Sequence, residues 1–395
     1  MSAEGEAIRS NDYRKDTTVK APSTRPAAVL GLDVGKSSHW ACLIDRDGEV
    51  LASAPVRNRE AELDALFASA PAGTLVVVDQ FRNIGSLAVR RARAAGLGVA
   101  HLPGLAASRA AGLFAGEAKT DERDAEVIAR TALGVPASLS GVPGRGEALE
   151  AARALSSQRD HVVACATRDK NRLRAVLLES CPALEAAVDL SDRRWLELLA
   201  GFGGAWGIAR SGAGGPRAEA AGEAAAASTA PPPALVEAEN RQVMFLAARI
   251  SEALDEAGAL EAETAALLEG DETYACLLTV PGIGPRTAAQ LAVSVDIARF
   301  PDHDHLASYC GIAPRVRSSG TSVRSVRASR RGDARLKSLL IFSCNSLVRS
   351  SGRYGEYYRA CRARGMGHGR ALKAVARKRL RAIYAVMRDR VPYRE

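Results

Sequence analysis

Residues 27–55 read AAVLGLDVGKSSHWACLIDRDGEVLASAP, and this stretch decides the fold of the first part of the chain. The nearly continuous apolar run at 28–34 predicts a buried strand, and residues 39–44 and 50–55 predict two more. The turn DRDG at 45–48 is typical of a β-hairpin. The chain therefore opens with strands that run back and forth beside one another.

Helices and strands alternate after this meander. Residues 59–68 and 88–95 have helical spacing, whereas 74–78 and 98–102 are short apolar runs typical of strands. Three meandering strands followed by alternating helix and strand is the order of an α/β domain of the RNase H-like class. It differs from the strict βαβ alternation of a Rossmann sheet.

Acidic residues follow two of these strands. Asp33 and Asp79 each end an apolar strand, and Asp121 and Asp124 lie three residues apart in the segment KTDERDA, where Thr120 could cap a helix. Strands of one sheet bring their ends to a common edge, and spacing of three on a helix places both carboxylates on one face. We therefore expect the four aspartates to cluster.

Clustered carboxylates repel one another unless a cation lies between them. Oxygen ligands suit Mg²⁺, and two such ions can stabilise the attacking and leaving oxygens in phosphodiester cleavage. An aspartate after a strand is more often only a turn residue, and a Gly-x-Asp-x-Gly segment such as that around Asp33 also marks actin-like ATPases. Taken together, the set favours a metal-dependent nuclease site.

Two long helical patterns dominate the middle of the chain. Residues 149–178 are a long polar-rich stretch without Pro or Gly, and residues 243–268 place apolar side chains three and four apart along one stripe. Two such helices would pair as an antiparallel hairpin or form a coiled-coil stalk. Residues 201–233 between them are dense in Gly, Ala, Ser and Pro, which indicates a mobile low-complexity insertion. The predicted organisation is a disordered tail (1–26), the RNase H-like domain (27–140), the stalk (145–270) and a mostly helical C-terminal domain (271–395).

Charge and cysteine usage narrow the class of protein. The net charge is +9, and residues 315–395 hold 22 Lys or Arg against four acids, so this segment carries +18 and indicates a nucleic-acid surface. The seven cysteines show no metal-binding or disulfide spacing, which favours a reducing cytoplasm. Neither a secretory signal nor a membrane span is expected, since no apolar run approaches ~18 residues.

The C-terminal domain contains two segments with possible chemistry. The string TVPGIGPRTA at 279–288 resembles a helix-hairpin-helix turn, although an ordinary helix connection explains it equally well. Ser318 and Ser319 lie in an arginine-rich loop, where a serine could attack a phosphate, but from the residues alone arginines that clamp a nucleic-acid backbone are the simpler explanation. The predicted nucleic-acid contacts are Gly282, Gly284, Arg286, Arg315, Arg317, Arg324, Arg327, Arg330, Arg331 and Arg335.

Taken together, these motifs resemble the DEDD-type transposases of the insertion-sequence-110 family, relatives of the Piv-type DNA invertases. The resemblance extends from about residue 29 to the end. It is carried by GLDVGK, VVVDQ and KTDERDA in the first part, and by TVPGIGPRTA, LASYCGIAPRVRSSG and SRRGDARLKSLL in the last.

The resemblance implies a RuvC-like domain that holds Mg²⁺ or Mn²⁺ with Asp33, Asp79, Asp121 and Asp124, a coiled-coil stalk and a C-terminal transposase domain. The family usually has Glu at the second position, so Asp79 shortens that ligand by one methylene group. Ser319 matches the family's nucleophile, with neighbouring Ser318 left open.

The resemblance further implies DNA as donor and target, a structured guide RNA, and a homo-oligomer, either dimer or tetramer, that acts at the nucleoid. One subunit's acidic site would then meet another subunit's serine.

Three functions compete at this point. The first is a transposase or site-specific recombinase that cuts and rejoins DNA with metal ions and a serine. The second is a RuvC-like structure-selective nuclease, for which the aspartates would suffice with water as nucleophile. The third is a non-catalytic nucleic-acid-binding protein, which would need only the basic segment and would not require the aspartates.

Overall fold

The computed structural model describes residues 26–114, 120–142, 144, 146–317, 325–328 and 332–394. The chain separates into two compact units, Met1–Gly144 and Arg145–Glu395. Each unit has its own hydrophobic core. None of the helices in the described ranges combines the length and apolar character needed to cross a bilayer.

A mixed sheet forms the centre of the first unit. Its strands are β1 (Ala28–Asp33), β2 (Ser38–Asp45), β3 (Val50–Arg57), β4 (Thr74–Val78), β5 (Gly98–His101) and β6 (Ser140–Gly141). They lie in the order β3-β2-β1-β4-β5-β6. The pairs β1–β2, β2–β3 and β5–β6 are antiparallel, whereas β4 lies parallel to both β1 and β5. This meander followed by parallel strands confirms the predicted RNase H-like class.

Helices cover both faces of this sheet because the apolar residues of β1 alternate in direction. The helices are α1 (Glu60–Ser69), α2 (Ser86–Ala94), α3 (Gly104–Ala111) and α4 (Asp121–Gly134). Leu30 and Leu32 pack with residues of α1 and α2, whereas Val29 packs with residues of α4 on the opposite face. Burial on both faces explains why β1 and β4 read as continuous apolar runs.

A long helical hairpin organises the second unit. The helices that build it and fill its closed end are α5 (Glu147–Ser180), α6 (Pro182–Ala187), α7 (Arg193–Phe202), α8 (Ala205–Ser211), α9 (Pro216–Ala226) and α10 (Pro233–Leu267). Ion pairs join Arg159 to Glu261 and Asp169 to Arg249, so α5 and α10 are antiparallel. At 1.5 Å per residue, each long helix spans about 50 Å.

The segment 201–233 differs from its sequence-based interpretation as a mobile insertion. It forms α8, α9 and the start of α10, and Ala221 is fully buried in a core with Leu196 and Leu199 of α7. Alanine side chains allow close helix packing, so a composition that resembles a linker folds here. Pro233 occupies the first turn of α10, where a proline costs no hydrogen bond.

The remaining elements pack around the last helix. They are α11 (Glu272–Leu278), α12 (Pro285–Ser294), α13 (His303–Tyr309), β7 (Pro314–Arg317), β8 (Ser325–Ala328), α14 (Ala334–Phe342), α15 (Asn345–Arg349), α16 (Arg353–Ala363) and α17 (His368–Asp389). Ala152 of α5 shares their core, so the base of the hairpin and the C-terminal region form one unit. Arg379 of α17 is fully buried and donates a hydrogen bond to Ser343 Oγ at 2.7 Å.

Candidate active site

Asp33 and Asp79 lie at the same edge of the first unit's sheet. β1 and β4 are parallel, and their register pairs Leu32 with Val78, so the next residue of each strand is one of the two aspartates. Neighbouring strands lie about 4.8 Å apart. The backbone N–H of Val34 donates to Asp79 Oδ1 at 3.3 Å, which fixes the Asp79 carboxylate beside the chain that carries Asp33.

Helix α4 brings Asp124 to this edge. Its first turn is capped by Thr120, whose Oγ1 accepts from the N–H of Arg123 at 3.3 Å, as the sequence predicts. A Cβ added to Gly31 would lie 2.4 Å from the carbonyl oxygen of Ala125, so the absence of a side chain at Gly31 allows α4 to contact β1. Asp124 is half-buried, whereas Asp121 is exposed to solvent.

The electrostatics of Asp79 reflect this position. Burial raises the pKa of its carboxyl, the N–H of Val34 opposes that change, and the negative charge of Asp124 raises the pKa further. The carboxylate of Asp79 is therefore close enough to Asp124 for their charges to interact, and it accepts a hydrogen bond from Val34, the residue that follows Asp33. A cation at this edge would relieve the repulsion and favour the ionised form.

The donor chemistry fits a hard divalent cation, because all four side chains offer carboxylate oxygens. Within the described ranges, however, no three His, Cys, Asp or Glu residues are grouped closely enough to hold a metal ion. The structure thus places Asp33, Asp79 and Asp124 at one edge of the sheet, but their carboxylates do not converge on one metal-binding position. Asp121 lies on the exposed first turn of α4.

Two histidines that sequence reasoning missed support this edge. His101 Nε2 lies 3.0 Å from the carbonyl oxygen of Asp79, and the His101 ring packs edge-on against Phe81 with centroids 4.8 Å apart. His39 is buried and accepts from the N–H of Gly35 at 3.2 Å through Nδ1. Burial lowers the pKa of His39, and Asn58 and Asp79 oppose that change. Neither histidine stands in a recognisable motif, since strand pairing alone brings them here.

The glycine-rich turn at 281–284 joins α11 to α12 in the second unit. Gly282 has φ +73°, and an added Cβ would lie 2.9 Å from Leu347 Cγ and 3.0 Å from the carbonyl oxygen of Ser343. Gly284 precedes α12 without a side-chain cap, and a Cβ there would meet nothing within 4 Å. Gly282 is thus required by packing, whereas the surface at Gly284 is open to a ligand.

The serine segment is described only at its flanks. Strands β7 and β8 pair Arg315 with Arg327 and Arg317 with Ser325. Ser318, Ser319 and Arg324 lie in the sequence between the two strands and fall outside the described residues. Arg330 and Arg331 follow β8 and also fall outside them. Arg335 lies in the first turn of α14, and its backbone N–H donates to the carboxylate of Asp333, which caps that helix.

Two family models match the chain. Residues 30–182 match a DEDD-type model of insertion sequence IS110 described as "Transposase", and residues 274–359 match one described as "Transposase IS116/IS110/IS902 family".

Curated relatives match over most of the chain or over part of it. The "Insertion element IS110 uncharacterized 43.6 kDa protein" of Streptomyces coelicolor is 35% identical, over 91% of this chain and 94% of the relative. A "Pilin gene-inverting protein" of Moraxella bovis is 35% identical over 30% of this chain and 37% of its own length. Among solved structures, T. thermophilus RuvC in complex with Holliday junction substrate matches 29% of this chain and 99% of that chain, at 16% identity and a TM-score of 0.24.

Proposed function

The chain belongs to the IS116/IS110/IS902 family of transposases and is a DNA transposase or recombinase of an insertion sequence; from this premise, we propose that it cuts and rejoins DNA with a metal-bound aspartate cluster and a serine nucleophile. One observation carries the acidic half of the proposal. Asp79 is hydrogen-bonded to the residue after Asp33 and is in electrostatic contact with Asp124.

Asp33, Asp79, Asp121 and Asp124 are the residues that would hold Mg²⁺ or Mn²⁺ at this edge. When bound, such an ion supplies charge stabilisation to the phosphate oxygens of a DNA strand. The N–H of Val34 keeps the Asp79 carboxylate in place, and the His101 ring contacts the main-chain carbonyl oxygen of the same residue. Asp121 is exposed on the first turn of α4, where its carboxylate is accessible to a substrate.

We assign the nucleophile to Ser319, with Ser318 as the alternative, on the resemblance of this segment to the family's Ser-Gly element. The serine Oγ–P bond would form as one P–O bond of the DNA backbone breaks. The serine would lose its proton to solvent, and the departing sugar oxygen would keep the electron pair of the broken bond and take up a proton from solvent, which leaves that strand with a free hydroxyl end. Arginines of the segment would neutralise charge in the transition state. Energy of the broken linkage is conserved in the adduct, so the strand can be rejoined to a new end.

The partners belong to the same proposal. The segment 315–395 carries a net charge of +18, which suits a nucleic-acid backbone. We propose donor and target DNA at the nucleoid as substrates, and a structured guide RNA that pairs with both. A homo-oligomer would let one subunit's aspartates meet another subunit's serine.

A recombination assay tests the chemical steps. An element with matched ends, supplied with its RNA, should be excised or inserted by the unaltered protein but not by Ser319→Ala or Asp124→Asn. If Ser319→Ala and Ser318→Ala both retain full activity, the covalent-serine step is wrong. Metal-dependent cleavage without a protein–DNA adduct would instead favour a nuclease that uses water.

A separate purification tests guidance by RNA. The protein purified from cells that hold the whole element should carry one defined RNA, identified by sequencing. An RNA with segments complementary to donor and target would support guidance, whereas bulk ribosomal RNA in its place would refute it.

A further inference from the structure

A cavity of about 370 Å³ opens among α5, α10, α12 and α14 in the second unit. Six residues define its character: Arg159, Asp160, Glu261, Arg286, Arg335 and Phe342. Its size falls within the range of about 300–1,000 Å³ typical of small-molecule sites. We propose that this cavity receives one unpaired nucleotide of a nucleic-acid strand, with its base on Phe342 and its phosphate on Arg286.

The lining of the cavity contains three arginines and two carboxylates, so one positive charge has no carboxylate of its own. Arg159 pairs with Glu261 at 2.7 Å and with Asp160 at 3.3 Å, and Arg335 pairs with Asp160 at 2.8 Å. These two arginines and two carboxylates balance one another.

Arg286 is the cation left over. Within the described ranges it makes neither an ion pair nor a hydrogen bond. Partial burial and the charge of Arg159 lower its pKa, whereas the charges of Glu261 and Asp160 raise it. A phosphate group carries the charge that would compensate Arg286, and guanidinium–phosphate pairs form strong charge-assisted hydrogen bonds.

Phe342 supplies the apolar surface. It is the last residue of α14 and is 67% exposed, although its helix neighbours Leu339 and Leu340 are buried. A large exposed aromatic beside a cavity with a free arginine is the arrangement with which proteins bind unpaired nucleotides, because every base has a face that stacks. A paired base is stacked within its duplex and cannot enter such a cavity.

This inference rests on the proposed function only in that the protein handles nucleic acid; neither the serine nor a metal enters it. Direct binding by the full-length protein tests it. Three DNA probes of one sequence would be compared by fluorescence anisotropy: a duplex, the same duplex with one bulged nucleotide, and the single strand. A single-stranded RNA of that sequence is the fourth probe.

The bulged and single-stranded probes should bind more tightly than the duplex. Phe342→Leu should weaken binding of these two probes about ten-fold and leave binding of the duplex unchanged. Arg286→Gln should also weaken binding of both unpaired probes. Phe342→Trp keeps an aromatic ring for stacking and should bind these probes about as tightly as the unaltered protein. Phe245→Leu is the matched control, because Phe245 is 59% exposed on α10. It lies 16 residues from Glu261, about 24 Å along that helix.

The outcomes separate the two proposals. Binding of the duplex with no preference for unpaired probes, or equal losses from Phe342→Leu and Phe245→Leu, would overturn the cavity's role and leave the proposed function standing. Failure to bind any DNA would count against the proposed function as well. Tighter binding of the RNA strand than of the DNA strand, lost in Phe342→Leu, would support the cavity and identify RNA as its source of nucleotides.

Discussion

The backbone N–H of Val34 donates a hydrogen bond to Oδ1 of Asp79 at 3.3 Å across two parallel strands. The bond ties the residue after Asp33 to the carboxylate that ends the neighbouring strand. Because it needs only an acceptor oxygen, the position and the charge of this side chain can be separated experimentally.

Asp79→Asn should abolish recombination without unfolding the protein. The amide oxygen can still accept from the N–H of Val34, so the side chain stays in place while its charge is lost. The fold should tolerate the loss, because burial raises the pKa of the Asp79 carboxyl and so already disfavours its charged form. We expect activity to fall at least ~100-fold, or about 3 kcal/mol of activation free energy, with an unchanged melting temperature. Asp79→Glu keeps the charge and should retain part of the activity.

Asp64→Asn is the control for the loss of a carboxylate. Asp64 pairs with Arg91 at 2.6 Å, on α1, which packs on the face of the sheet opposite the helix that carries Asp124. Recombination by Asp64→Asn should match that of the unaltered protein. Equal losses in both variants would contradict a special role for Asp79.

Gly31→Ala should destabilise the first unit. The new Cβ would lie 2.4 Å from the Ala125 carbonyl oxygen and 2.7 Å from the Ala129 nitrogen, so α4 must move away from β1 and take Asp124 with it. Overpacking of this kind costs about 1–3 kcal/mol of unfolding free energy. Gly134→Ala, at the end of α4 with nothing within 4 Å, should be neutral or slightly stabilising in the same urea titration.

The two glycines of the α11–α12 turn should respond differently to the same substitution. Gly282→Ala should lower the unfolding free energy by about 1–2 kcal/mol, because Gly282 has φ +73° and Leu347 lies against it. Gly284→Ala should leave stability unchanged and weaken binding of duplex DNA, since its Cβ would project into open space where a phosphate could approach. Unchanged duplex binding in Gly284→Ala would argue for an ordinary helix connection.

Alkylation should distinguish one cysteine from the rest. Six of the seven cysteines are buried, and burial raises the pKa of Cys42 to about 11 and of Cys310 to about 12. The reactive thiolate is therefore scarce at these two sites near pH ~8. Iodoacetamide should label Cys165 alone in the native protein and all seven cysteines after denaturation, as counted by mass spectrometry. Labelling of native Cys310 would show that its surroundings open.

Local sequence patterns predicted the elements well but not the contacts between them. The apolar run at 28–34 and the cap at Thr120 specify β1 and the start of α4, because both depend on neighbouring residues. The approach of α4 to Gly31 and the position of His101 beside Asp79 depend on strand order and register. Residues far apart in the sequence set both, so no local pattern reveals them.

Composition alone gave the wrong interpretation of residues 201–233. A segment rich in alanine resembles a linker when read by itself, yet Ala221 and Ala225 pack against a core provided by α7 and the hairpin. Whether small side chains pack or stay in solvent depends on the partner surface. Burial likewise depends on the partner surface for Arg379, which belongs to the basic segment 315–395 and is fully buried, so it is not part of a nucleic-acid surface.

The helices α6 to α9 form a cap that is inserted between two antiparallel helices, α5 and α10, which also pair with each other directly. Below this cap, Asp169 meets Arg249 and Arg159 meets Glu261, so α5 and α10 keep their register through their own contacts. The cap can therefore change over evolutionary time while the base of the hairpin keeps its geometry, provided that it still covers apolar residues such as Leu173 of α5 and Val243 of α10. Relatives of this protein should vary most in length there, and a foreign domain should be tolerated best as an insertion in the exposed α8–α9 connection at Gly212–Gly214, as a thermal unfolding assay would show.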